Sequence, residues 1–80
     1  MMTDPACSLV AAALGIQGEV SLDDTMHTLP AWDSMTQVAL MLELEARLGR
    51  PLTGDELGSL DSVRAVAALL ETAPPPPADD

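Results

Sequence analysis

A small all-α bundle of four helices, three longer and one short, is the architecture this sequence predicts. At 80 residues the chain has room for one domain and one modest core. Its apolar content is mainly Leu, Val, Ala and Met, with one Trp and no Phe or Tyr. That palette suits packed helices better than sheets, where β-branched and aromatic side chains are favoured. The apolar positions also recur at three- and four-residue spacing between clear start and stop signals.

The first helix is expected from about Asp4 to Leu14. Pro5 is tolerated at a helix start and Asp4 can cap behind it. Leu9, Val10 and Ala13, with Ala6 one turn earlier, share a face, and Gly15 and Gly18 end the element. The connection from Gln17 to Asp33 is punctuated by Val20, Leu22, Met26 and Leu29. It is therefore expected to lie pinned against the helices.

Ser34 to Leu48 is the strongest helical segment. Ser34 suits an N-cap, Asp33 favours the positive helix end, and Gly49 and Pro51 stop the element. Ser34→Ala is expected to fold at a capping cost of about 1 kcal/mol. At the helical repeat this segment shows two apolar faces. One holds Leu40, Met41, Leu44 and Leu48; the other holds Met35, Ala39, Leu42 and Ala46. Thr36, Glu43 and Arg47 separate them on one side and Glu45 on the other. A helix apolar on two faces is either enclosed or turned toward a partner, and little chain remains to cover both.

Thr53-Gly54-Asp55-Glu56 fits a capping box for a short third helix from Asp55 to about Leu60. Asp61-Ser62 opens the last helix through about Glu71, with Val63, Val66, Ala67 and Leu70 on one face. Residues 74–80, four prolines with a terminal Asp pair, are expected to form an extended solvated tail, leaving 1–73 as the domain.

Thirteen acidic residues face only Arg47, Arg50 and Arg64, for a net charge of −10. Such a charge repels nucleic acid and anionic membranes and steers basic partners. No apolar run is long enough to cross a bilayer and no signal-peptide pattern opens the chain. Cys7 is single, which excludes an intrachain disulfide and makes a reducing cytoplasm the expected location. Its own reading is a small helix residue without chemistry.

Catalysis is not expected. Nothing in the spacing joins His27 to Ser34 or Cys7 as base and nucleophile. No Cys/His cluster serves zinc, no glycine-rich loop with lysine serves nucleotide phosphates, and Asp23-Asp24 lacks the spacing of a calcium loop. Glu43 and Glu45 read as solvated helix charges. Two serines follow an aspartate. For Ser62 a capping role is sufficient; Ser34 has a long loop and Trp32 before it and the two-faced helix after it.

Asp33-Ser34-Met35 at the head of that helix resembles the phosphopantetheine attachment motif of acyl and peptidyl carrier proteins. The resemblance extends from about Ala6 to Glu71. Leu40-Met41-Leu42-Glu43-Leu44-Glu45-Ala46-Arg47-Leu48-Gly49 is similar to the "L-x-L-E-x-x-F-G" ending of the carriers' helix, with Leu48 where an aromatic is usual. The resemblance implies an acyl-carrier-like bundle in which Ser34 receives 4′-phosphopantetheine from coenzyme A through a separate transferase. The arm's thiol would then hold an acyl or aminoacyl group as a thioester. Asp33 would match the motif's acid, which in the family helps present the serine. Implied partners are a phosphopantetheinyl transferase, an adenylating ligase or acyltransferase, and downstream acyl-using enzymes, met by a monomer.

The departures from the pattern are informative. Fatty acid carriers bear several acids along the outer face of this helix; here the matching positions are Thr36, Ala39 and Ala46, with Glu45 retained. Met35 and Leu42 add apolar surface. Docking on Met35, Ala39, Leu42 and Ala46 is therefore expected to lean on hydrophobic contact, with charge aiding the encounter. That resembles peptidyl carriers and stand-alone aminoacyl carriers. Ala31-Trp32-Asp33-Ser34 replaces the Gly-Gly-x-Ser form and is similar to free-standing carriers served by a dedicated ligase, D-alanyl carriers among them. Trp32 either anchors the loop end or packs along the arm, and anchoring is the usual role of a buried Trp. The rival from another class is a helical adaptor that binds its partner through the same face, with Ser34 only a cap. The cargo is not encoded legibly.

Overall fold

The computed structural model describes residues 4–73. Four helices run α1 Pro5–Leu14, α2 Ser34–Leu48, α3 Gly54–Gly58 and α4 Val63–Leu70. No strand occurs among the described residues. The expected tail, 74–80, lies outside them.

Each helix begins on a side chain that accepts first-turn N–H groups, because those donors have no intrahelical partner. Asp4 accepts from Ala6 N–H with Pro5 at the first helical position. Thr53 and Glu56 form the reciprocal capping box read from sequence. Ser62 caps α4 through Ala65 N–H. The cap of α2 is a correction: Asp33, not Ser34, is the N-cap, and Ser34 is the first helical residue. A carboxylate both accepts the free N–H groups and complements the positive helix end, so it holds the cap position ahead of the hydroxyl that follows it.

Gly15 and Gly49 close α1 and α2 in the left-handed conformation, with φ of 71° and 72°, where a side chain would be strained. The third helix runs from Gly54 to Gly58, one residue earlier at its start and two at its end than expected, and Leu60 beyond it is 2 % exposed in the core.

Helices α1, α2 and α4 pack against one another pairwise. Ala6, Leu9 and Val10 from α1, Leu40, Leu44 and Leu48 from α2, and Val63 and Val66 from α4 are buried in one cluster. Fully burying a Leu or Val side chain stabilises by about 1.5–3 kcal/mol. Cys7 and Trp32 are buried in the same cluster. Ala13, Met41, Ala67 and Leu70 pack at its edge, half-buried.

The long loop is held, though not wholly by the side chains expected. Val20, Leu22 and Leu29 are half-buried against the core. Met26 is 40 % exposed and is not one of the pins. Backbone pairing secures its stretch instead: Met26 N–H donates to the Asp61 carbonyl and Val63 N–H to the Asp24 carbonyl, each at 3.0 Å. Asp24 also organises the turn, accepting from Ser21 N–H at 2.8 Å and from the Thr28 hydroxyl at 2.9 Å. Asp23 pairs with Arg64 across the same junction. Glu45 departs from its reading as a solvated charge. It is half-buried and accepts Leu52 N–H at 2.9 Å, tying the segment after α2 back to the helix. No described helix is long and apolar enough to cross a membrane.

Candidate functional site

Ser34 stands exposed at the start of α2, where loop, helix and the α3–α4 connection converge. Its position follows from a reciprocal cap. Asp33 Oδ1 accepts the N–H groups of Met35 and Thr36, each at 3.0 Å. Thr36 Oγ1 in turn accepts Asp33 N–H at 2.8 Å and donates to the Ala31 carbonyl at 2.7 Å. Thr36 is thus part of the cap rather than of the outer face. These bonds, with Thr36 N–H foremost, hold the Asp33 carboxyl below its ordinary pKa of 3.8. Asp33 does the capping, so the Ser34 hydroxyl is left to solvent with no capping work to do.

Behind Ser34 the floor is buried and hydrogen-bonded. Trp32 is 4 % exposed and anchors the loop end in the core, its indole N–H donating to Gln37 Oε1. Gln37 Nε2 donates to the Leu60 carbonyl at 3.0 Å. One side-chain amide therefore ties the loop, the first turn of α2 and the α3–α4 connection together. Beside this tie lies a mainly apolar groove of about 350 Å³, lined by Met26, Ser34, Gln37, Leu57 and Leu60 among others.

On the outer surface of α2, Met35 is 81 % exposed, Val38 50 % and Leu42 57 %. Ala46 is exposed beyond them, while Ala39 is half-buried. Four of the expected face residues are thus brought onto one surface, with Ala39 contributing less than the others. Val38 was missed, although its place three residues after Met35 and four before Leu42 puts it beside that stripe. Gln37 was missed because its partners lie far apart in sequence. The Asp33–Thr36 cap was missed because the usual reciprocal partner is Glu or Gln.

His27 is exposed on the loop, its backbone N–H donating to Thr25 Oγ1. The two Asp-Ser serines differ in what their oxygens do. Ser62 is half-buried and its hydroxyl accepts Ala65 N–H at 3.1 Å. Ser34 is the more exposed of the two.

The family model described as "Phosphopantetheine attachment site" matches residues 5–70. The chain belongs to the phosphopantetheine-attachment family. Searches of the curated proteins and of the solved structures return no match. As a member, this carrier bears a covalent 4′-phosphopantetheine and is a carrier rather than a catalyst. Carriers of this family interact with a phosphopantetheinyl transferase and with acyl-using enzymes. The site's chemistry suits the group. A phosphodiester link needs a hydroxyl open to solvent, and a helix N-terminus favours the phosphate's negative charge. When attached, the arm supplies a thiol able to hold an acyl group as a thioester.

Proposed function

We propose that Ser34 is the attachment residue and that the carrier holds an acyl or aminoacyl group for partner enzymes of a biosynthetic pathway. It works as a monomeric carrier in the cytoplasm, loaded by a dedicated adenylating ligase or an acyltransferase. The carrier unit is residues 1–73. Partners dock on Met35, Leu42 and Ala46, with Ala39 at the margin and Val38 added to the set. Asp33 fixes the start of α2 and so presents Ser34 to the transferase.

The observation that carries this reading is the contrast between the two serines. Ser34 is exposed, freed from capping by Asp33 and bordered by the exposed apolar stripe; Ser62 spends its hydroxyl on α4. A surface apolar rather than acidic favours contact burial over ion pairing, in which it resembles peptidyl and aminoacyl carriers.

Intact mass after incubation with coenzyme A and a promiscuous phosphopantetheinyl transferase tests the assignment. Wild type and Ser62→Ala are expected to gain one phosphopantetheine, and Ser34→Ala none. A gain that persists in Ser34→Ala places the arm elsewhere. Partner capture by the unmodified protein, with no mass gain in folded wild type, favours the adaptor.

A further inference from the structure

The exposed apolar surface around Ser34 is partly methionine, whereas the buried core is built from other residues. Met35 follows Ser34 directly and is 81 % exposed; Met26, 40 % exposed, lines the groove that Ser34 also lines. The buried cluster consists of Leu, Val and Ala with Cys7 and Trp32. Met41 is half-buried at its edge. Methionine is flexible and polarisable, which suits a surface that must fit several partners in turn. It is also the apolar side chain that a peroxide converts to a polar one.

We propose that Met35, with Met26 in the groove that Ser34 also lines, is an oxidation site whose conversion to sulfoxide weakens docking while leaving the bundle folded. This rests on the reading of Ser34 and the α2 face given above. The thioether sulfur attacks one oxygen of hydrogen peroxide, forming the S–O bond as the O–O bond breaks. The sulfur is oxidised by two electrons, and the second oxygen leaves as water, taking up the proton that the transferred oxygen gives up. The product is polar and chiral, so burying it in an apolar partner pocket costs affinity.

Exposure leaves this surface more open to the oxidant than Cys7 or Trp32. Met35 touches little of the fold, so its oxidation removes no core contact. Cys7 is 6 % exposed, and burial foremost, with Asp4 and Asp24, pushes its thiol pKa up, which keeps it in the unreactive protonated form. Trp32 is buried. Reductases specific for each sulfoxide epimer reverse the change.

The test treats the full-length protein with dilute hydrogen peroxide and maps the added oxygens by peptide mass. Initial rates of phosphopantetheine transfer are then measured for treated and untreated protein. Among the described methionines, oxygen is expected at Met35 first and Met26 second, before Met41. The kcat/KM of transfer is expected to fall about tenfold, the order of one docking side chain, with helicity unchanged. Methionine sulfoxide reductases should restore the rate. In the double variant Met26→Leu/Met35→Leu, compared with its own untreated form, peroxide should change little. An undiminished rate on protein oxidised at both sites overturns the inference, as does an equal loss in the double variant or a loss of helicity on oxidation. Failure of untreated wild type to take phosphopantetheine at Ser34 would instead remove the reading on which the inference rests.

Discussion

Asp33 and Ser34 are neighbours with separate duties, and the division decides what their substitution does. The carboxylate accepts two first-turn N–H groups, whereas the hydroxyl beside it is exposed. The capping cost expected for Ser34 therefore belongs to Asp33. Thermal melts followed by circular dichroism at about pH 7 should show Asp33→Ala lowering Tm by about 5 °C and Ser34→Ala by less than about 2 °C. The same carboxylate gives the effect a pH dependence. Its folded pKa lies below the unfolded value near 3.8, so its stabilisation is present above that value. As pH falls through the lowered folded pKa the stabilisation is lost, and the gap between Asp33→Ala and wild type should close in acid. A gap of constant size down to about pH 2 would show that the carboxylate is not the cap. Glu56 behaves in the same sense. Hydrogen bonding to Arg50 foremost, and to Thr53 N–H, lowers its pKa to about 2.

At the scale of the element, α2 divides its apolar side chains between two jobs. Leu40, Leu44 and Leu48 turn inward, while Met35, Val38 and Leu42 remain on the surface. Helical periodicity made both faces legible in the sequence, because residues three and four apart necessarily share a side. Ala39 and Val38 show where that reading stops. Ala39 sits on the outward side of the helix yet is half-buried, and Val38, close to the boundary marked by Glu45, remains 50 % exposed. The helical wheel gives direction but not the height of neighbouring segments. Val38→Asp should therefore leave the melting curve within about 2 °C of wild type. It should also raise the KM of the transferase by about tenfold, through a charge buried in the docked complex. An unchanged KM in a steady-state assay would take Val38 out of the face.

For the whole molecule, one side chain joins what the sequence keeps apart. Gln37 accepts from the Trp32 indole and donates to the Leu60 carbonyl, a residue 23 positions away. Gln37→Leu leaves a buried indole N–H and a backbone carbonyl without that partner. A loss of about 1–3 kcal/mol in chemical denaturation is expected, together with a shift in the fluorescence of Trp32, the one tryptophan of the chain. Unaltered stability would mean that the three-way tie is dispensable. The same junction carries the Met26–Asp61 and Val63–Asp24 backbone pairs, so the loop before Ser34 is positioned by the far end of the chain.

Four helices, most of their caps, the inward stripes and the motif at Ser34 were legible in the chain of residues alone. These rest on local rules: a capping side chain reaches two or three residues, and a helical face repeats every three or four. Which parts of the loop are buried, the exposure of Met26 beside Ser34, and the closure of the groove floor by Gln37 came only with the folded chain. Those features depend on segments distant in sequence arriving at the same place. Only the packing of α1, α2 and α4 around one core fixes where they meet.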